Sequence, residues 1–337
     1  AKGIDPSVHK QQVQRAAVVS AGAAMFQKLA DDFFAEIVSN TDPETQRRTK
    51  IEMNELTGAF GPRSIDGIEP IELGELLKAV YKSGRQSKAR RVRSLASRIF
   101  CYGISEGVCK YDIAAPFKGR FKSKSKKRAA ITDQLEVIGL ERTEQLVGKL
   151  MRDIRDYRGE AVTIDALELM ALTFPRPANV VKMEWAEIDF AINAWVIPAE
   201  KMKMDRVHKV PLSRQAIAIL KRLHPLTGKH RYVFAHIGGK PLSKNAMTNA
   251  LKRLGYDTSN QHCAHGFRSM ASTLLNEWSG WSADAVERQL AHGDEDKIRG
   301  TYNKAEMWDE RVRMMQHWAD QLDRMRDGNV VQLQQVA

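Results

Sequence analysis

Cysteine is scarce in this chain: Cys101, Cys109 and Cys263 are the only three among 337 residues, an odd number with no repeated spacing. That argues against a disulfide framework and fits a reducing, cytoplasmic setting. Nowhere does an apolar run approach the ~18–20 residues that a bilayer-spanning helix needs, so no membrane partner is expected. The opening residues, Ala1-Lys-Gly-Ile-Asp-Pro6, carry neither an initiator Met nor the apolar core of a signal peptide. They read as the end of an upstream element that has been removed. A Gly-rich loop closing on Gly-Lys-Ser/Thr is missing, which argues against a nucleotide-phosphate cradle. His262-Cys263-x-His265 resembles half a metal site, but no second ligand group accompanies it at a suitable spacing. The expectation is no metal and no cofactor. Acidic residues are scarce in one place above all. Between Lys82 and Arg128 there are 15 Lys/Arg and two acids, Glu106 and Asp112, so this stretch alone carries +13 in a chain of net charge +12. The remainder is close to neutral. A solvated basic face is the ordinary explanation of such an excess, yet a concentration this strong favours a surface for a polyanion such as nucleic acid.

Length and apolar content, 337 residues with 43% hydrophobic, suit two domains. Residues 1–24 are polar and Ala-rich and read as a helical linker. Phe26, Leu29, Phe33, Phe34 and Ile37 recur at helical spacing from about Met25. Asn40-Thr-Asp-Pro43 ends that helix and starts another, with Thr41 or Asp42 as N-cap. Ile65 to Leu77 predicts a short connection and a further helix, and Ser87–Gly107 predicts a helix with Val92, Leu95, Ile99 and Phe100 inward. The result is a helical domain over 25–117. Lys88, Arg90, Arg91 and Arg93 on its basic helix are candidate DNA-phosphate contacts. Residues 118–128 have almost no core-forming side chains and read as a basic interdomain linker, with Lys122, Lys124, Lys126, Lys127 and Arg128 as further candidate DNA contacts. A second domain spans 129–327. It should hold a helix capped near Thr132, a helix over Asp165–Thr173, strands at Trp195-Val-Ile and His208-Lys-Val-Pro, a short strand at Tyr232-Val-Phe, and mostly helix from Ser243 onward. The fold class is thus mainly α with a small antiparallel β-sheet, followed by a tail at 328–337. No internal repeat is present.

The chemistry lies in a spaced series: Arg176, Lys203, His265, Arg268, His292 and Tyr302. A tyrosine hydroxyl is a poor nucleophile at neutral pH, with a reference pKa of about 10. It attacks a phosphodiester only where neighbours take its proton and cations neutralise the phosphate. Arginine suits the non-bridging oxygens because its fork is planar and permanently charged. An ammonium whose pKa is lowered by nearby arginines can protonate the departing 5′ oxygen, and both Lys201 and Lys203 are placed for that task. A lone histidine, tyrosine or arginine is more often structural. Here each gains weight from the others.

Six segments taken together carry a resemblance: Phe174-Pro-Arg176-Pro, Ile197-Pro-Ala-Glu-Lys-Met-Lys203-Met, Val210-Pro-Leu-Ser213, His265-Gly-Phe-Arg268, Glu287-Arg-Gln-Leu-Ala-His292 and Thr301-Tyr302-Asn303. From about Ala129 to Asp323 the chain resembles the phage-integrase family of tyrosine recombinases, in its prophage and genomic-island branch. The helical region 25–117 resembles that family's core-site DNA-binding domain, and Ala1–Pro6 the end of its upstream arm-site binding domain. The resemblance implies Tyr302 as nucleophile, Arg176 and Arg268 as phosphate clamps, and His265 and His292 as aids to proton transfer or phosphate binding. Counted back from Val210-Pro211, it favours Lys203 over Lys201 as general acid. It further implies a 3′-phosphotyrosyl intermediate that needs neither ATP nor metal, and double-stranded attachment sites as partners. Four protomers would assemble on DNA, helped by DNA-bending accessory proteins, with the tail docking on a neighbouring protomer. One position departs from the pattern. Where an acidic residue commonly orients the first arginine, this chain has Asn179, so Asn179 or a substitute acid such as Glu184 would have to support Arg176. Two other functions share these residue types: a type IB topoisomerase, and a catalytically silent DNA-binding regulator.

Overall fold

The computed structural model describes residues 25–122, 129–202, 204–291 and 307–328. Two compact units are separated at Ser125/Lys126, inside the basic stretch.

The first unit is helical. Its first helix, α1 (Phe26–Phe33), runs into a π turn over Phe34–Val38. Then come α2 (Pro43–Phe60), α3 (Pro70–Lys82) and α4 (Gln86–Ser105). The start of α2 is written in the sequence. Asp42 accepts hydrogen bonds from the Glu44 and Thr45 amides at 3.1 and 3.0 Å, with Pro43 at the first helical position. Phe26, Leu56, Leu77, Ile99 and Phe100 are buried from four different helices, so the apolar stripes meet in one core. That core reaches further along the chain than expected. Phe117 and Phe121 are buried in it, and the Tyr81 hydroxyl donates to the Lys122 carbonyl at 2.9 Å. The first residues of the basic linker are therefore part of the helical unit, because Phe121 supplies an apolar anchor among the lysines.

The second unit holds α5 (Leu140–Arg155), α6 (Ala161–Thr173) and the short α7 (Pro177–Val181). A meander follows: β1 (Ile188–Asp189), β2 (Ala194–Ile197) and β3 (His208–Pro211), antiparallel in the order β1-β2-β3. Trp195 pairs with Val210 and Ile197 with His208. Then come α8 (Arg214–Thr227), α9 (Ala246–Arg253), α10 (Gly266–Glu277), α11 (Ala283–Gln289) and α12 (Trp308–Arg326). Leu167, Leu169, Met170 and Ala171 of α6 are all fully buried. A helix that is apolar on every side belongs at the centre, and α5, α8, α9, α10 and α12 pack around it. Helix α12 crosses α5 at Gly148, where a Cβ would lie 2.0 Å from the Met325 carbonyl oxygen. Only glycine admits that approach.

Two sequence expectations are corrected here. Tyr232-Val-Phe is no strand: Tyr232 makes one isolated bridge with Glu184, too short a pairing to build a ladder. Thr132 caps no helix. It lies in a 3-10 turn over Ile131–Gln134, its hydroxyl is buried without a partner among the described residues, and the short helix that follows, Leu135–Ile138, has Gln134 at its N-cap. No described helix is long and apolar enough to cross a membrane.

Candidate active site

The backbone first turns sharply at Phe174. This residue caps α6 in the left-handed region (φ 39°), fully buried, its ring edge-on to Trp318 at 5.9 Å. Such a conformation costs a bulky residue on the order of 1–3 kcal/mol and persists only where packing enforces it. The turn delivers Arg176 to the N-cap of α7, half-buried, with Pro177 fixing the first helical φ. Two of the other positive-φ residues stand beside expected site residues: Asp205 (φ 48°) two after Lys203, and Ala291 (φ 49°) immediately before His292.

Helix α10 brings in the second arginine. His265 is its N-cap, half-buried, and Arg268 lies in its first turn, 4% exposed. Gly266 sits between them, where a Cβ would lie 2.4 Å from the Ala129 carbonyl oxygen. The Cys263 amide donates to that same carbonyl at 3.0 Å. The chain that leaves the basic stretch is thus stitched to the start of α10. Arg268 then joins two remote segments. Nη1 donates to the Phe174 carbonyl at 2.9 Å and Nη2 to the Leu290 carbonyl at 2.6 Å. One guanidinium therefore holds the backbone two residues before Arg176 and two residues before His292.

His208 on β3 marks how closely the cations converge. Its Nε2 donates to the Gln289 carbonyl at 3.2 Å. Burial, then the charges of Arg311, Arg268 and Arg176, hold its pKa down to about 3, so it is a neutral imidazole among three guanidiniums. The sequence reading missed His208, which lies in an expected strand, Gln289, which lies in the Glu287–His292 segment, and Arg311. Their signal was the burial of polar groups, which sequence spacing does not report.

Lys201 and Lys203 separate here. Lys201 Nζ pairs with Glu184 at 2.5 Å and with Glu187, and also donates to the Lys182 carbonyl at 3.0 Å. Burial acts to lower its pKa, but the two carboxylates outweigh burial and leave it raised. An ammonium so held is a poor proton donor. Glu184 also receives Nε and Nη2 of Arg231, at 2.8 and 3.0 Å. Arg231 and then Lys201 bring its pKa down to about 2. Glu184 is therefore not the substitute acid for Arg176. Asn179 is not one either. Its Nδ2 donates to the Lys201 carbonyl at 3.3 Å and faces Met202 Sδ at 3.4 Å. The carboxamide anchors the β2–β3 connection, the stretch that carries Lys203, instead of orienting Arg176. Lys203, His292 and Tyr302 lie outside the described residues, as do Lys124, Lys126, Lys127, Arg128 and the tail beyond Gly328.

On the basic helix α4 the four candidate contacts divide. Lys88 pairs with Glu55 and Arg91 with Glu52, both across to α2. Their charge is largely balanced inside the unit. Arg90 is exposed and Arg93 half-buried, and neither has an ion-pair partner among the described residues. Lys122 is exposed.

Acid should weaken the second unit. His262 is fully buried, its Nδ1 accepting from the Ile131 amide at 3.2 Å while Nε2 has no partner among the described residues. Burial lowers its pKa to about 3, as for His208. Both imidazoles stay neutral in the folded protein down to about 3 but titrate near 6.5 when unfolded. Unfolding between those values takes up protons, so stability is full above pH 6.5 and is lost as pH falls toward 3. At pH 5 the loss is roughly 2 kcal/mol per histidine. Urea unfolding of the second unit should show a clearly lower midpoint at pH 5 than at pH 7.5. Equal midpoints would contradict the buried neutral assignment.

Residues 141–307 match the phage integrase family, and residues 26–120 match the phage integrase central domain. The chain is similar to IntB of Escherichia coli (strain K12), 34% identical over 97% of this chain and 83% of that protein. It is similar to the integrase of Enterobacteria phage P4, 31% identical over 97% of this chain and 75% of that one. In fold it is similar to lambda integrase. The dimer bound to a COC′ core site superposes with TM-score 0.66 at 18% identity, over 90% of this chain and 82% of that one. The tetramer bound to a Holliday junction gives TM-score 0.64 at 16% identity, over 88% and 84%.

Proposed function

This chain belongs to the phage integrase family of tyrosine recombinases, enzymes of site-specific recombination of mobile elements, and on that premise we propose that it cuts and rejoins DNA attachment sites through a 3′-phosphotyrosyl link to Tyr302. The single observation that carries the reading is the double grip of Arg268 on the Phe174 and Leu290 carbonyls. It brings the Arg176 turn, the His265–Arg268 helix and the approach to His292 into one place.

In the mechanism, Arg176 and Arg268 neutralise the two non-bridging oxygens of the scissile phosphate. Arg268 is mostly buried, so it meets the phosphate only at an edge. Its buried position fixes that edge in advance, which is what preorganised stabilisation requires. The Tyr302 oxygen attacks phosphorus as the P–O5′ bond breaks, and its proton passes to a neighbouring base. Lys203 gives a proton to the departing 5′ oxygen. His265 and His292 hydrogen-bond the phosphate or assist the proton. A 5′-hydroxyl from a second duplex then attacks the phosphotyrosine, releasing Tyr302. One phosphoester is exchanged for another, so no external energy source is needed. Exchange between two duplexes calls for several active sites, and four protomers around a junction, with DNA-bending accessory proteins, fit that demand. Arg90, Arg93, Lys122 and the basic run to Arg128 hold the duplex through its phosphates. The reaction takes place in the bacterial cytoplasm.

The pairing of Lys201 supports Lys203 as the acid. Lys203→Ala should slow adduct formation on an ordinary nicked attachment-site duplex by a factor on the order of 100 or more. A duplex with a 5′-thio leaving group, which departs without a proton, should restore the rate. Lys201→Ala should leave the contrast between the two substrates close to that of the wild type. Thio rescue of Lys201→Ala instead would reassign the acid. A wild-type protein that forms no adduct on either duplex would favour the silent regulator. An adduct of equal yield on unrelated sequences would favour a topoisomerase.

A further inference from the structure

The segment that bears Tyr302 leaves the end of α11 and returns at the start of α12. The two helix ends are joined by a side chain that no step above uses. Arg311, in the first turns of α12, is 3% exposed. Its Nε and Nη2 both donate to Gln289 Oε1, at 3.1 and 2.8 Å, and Nη2 also donates to the Lys209 carbonyl on β3. Gln289 is the last residue of α11 and is fully buried. Its Nε2 donates to the Thr173 carbonyl at 3.4 Å, and its own carbonyl accepts from His208. The next carbonyl, that of Leu290, is one of the two that Arg268 holds. A second tie lies nearby: the Ser282 amide and hydroxyl donate to Glu310 at 2.8 and 3.1 Å.

Taking Tyr302 as the nucleophile, we propose that Arg311 is a positioning residue, which clasps Gln289 to fix the two ends of the Tyr302 segment against each other and against the Arg268 site. Eighteen residues, 290–307, separate the last residue of α11 from the first of α12. Closing a connection costs more entropy the longer it is, so fixing its two ends lowers the cost of placing what it carries. Attack on phosphorus tolerates little error, and a misplacement of about 1 Å can cost about 100-fold in rate. Burying a guanidinium is costly unless its donors are met. Here two of its nitrogens converge on one carboxamide oxygen while one of them also reaches a strand carbonyl. A lysine ammonium is a single centre on a flexible stem and cannot reproduce that fork.

The experiment compares the wild type, Arg311→Lys, Gln289→Leu, their double variant, Lys203→Ala and Tyr302→Phe, all as the full chain on a nicked attachment-site duplex. Binding affinity, which also reports folding, and the single-turnover rate of adduct formation are measured separately. Arg311→Lys and Gln289→Leu should each bind like the wild type and form the adduct about 10- to 100-fold more slowly. The double variant should be no slower than the slower single one, because the pair acts as a unit. A 5′-thio leaving group should rescue Lys203→Ala and leave Arg311→Lys slow, since the clasp acts on the attacking group and not on the departing one. Wild-type adduct rates in both single variants, or thio rescue of Arg311→Lys equal to that of Lys203→Ala, would overturn the clasp while leaving the nucleophile assignment intact. A Tyr302→Phe protein that still forms the adduct would overturn the assignment and the clasp with it.

Discussion

Tyr302→Phe should bind an attachment-site duplex as tightly as the wild type and form no covalent adduct, a loss on the order of 10⁴-fold or more in cleavage. The substitution removes one oxygen and keeps the ring, so packing around the side chain changes little. It also leaves every cation in place, and the phosphate contacts that dominate affinity persist. The measurement is a nicked duplex incubated with each protein and resolved under denaturing conditions, with binding followed in parallel. The DNA flanking the gene supplies the site to use. Undiminished adduct in the mutant would place the nucleophile elsewhere. Loss of both binding and adduct would mean that the hydroxyl is needed for folding or DNA binding, and not for attack alone.

The two arginines should fail in different ways, because they are built in differently. Arg176 is half-buried at a helix start, and its removal opens no core. Arg176→Ala should cut the cleavage rate by about 100- to 1000-fold, the usual cost of one preorganised charge donor, with little change in the unfolding midpoint. Arg268 is 4% exposed and satisfies the Phe174 and Leu290 carbonyls. Arg268→Ala should lose at least as much rate, and in addition about 2–5 kcal/mol of stability in the second unit, since two buried acceptors lose their donor. Urea unfolding of both variants beside single-turnover cleavage separates the effects. Equal stability losses would mean that Arg268 is less embedded than its hydrogen bonds imply. A full cleavage rate in Arg176→Ala would remove it from the clamp.

Some of this was legible one residue at a time. The Asp42-Pro43 start of α2 follows from local chemistry: a carboxylate within reach of two amides, and a ring that pre-sets φ. The helix expected over Ser87–Gly107 follows from its apolar period and is found at Gln86–Ser105, and the strands at Trp195 and His208 follow from short runs on either side of a turn. The spaced Arg, Lys, His and Tyr residues named a phosphoryl-transfer chemistry because few other reactions need that set together. Where spacing was not enough, the errors have a common origin. The Tyr232 strand, the Thr132 cap and the Glu184 support for Arg176 each depended on which distant group arrived beside them.

What the sequence determined by itself was the mainly helical fold, the concentration of charge between Lys82 and Arg128 and the residue types of the site, since these rest on period, composition and functional-group chemistry. Only the tertiary structure decided how the polar side chains are spent. It committed Lys201 to Glu184 and Glu187, Lys88 to Glu55 and Arg91 to Glu52. It turned Asn179 toward the β2–β3 connection and buried Arg268, His208, Gln289 and Arg311 in one network. The physical reason is that a buried polar group must find a partner wherever the packed chain supplies one, and these partners lie between 14 and 116 residues away.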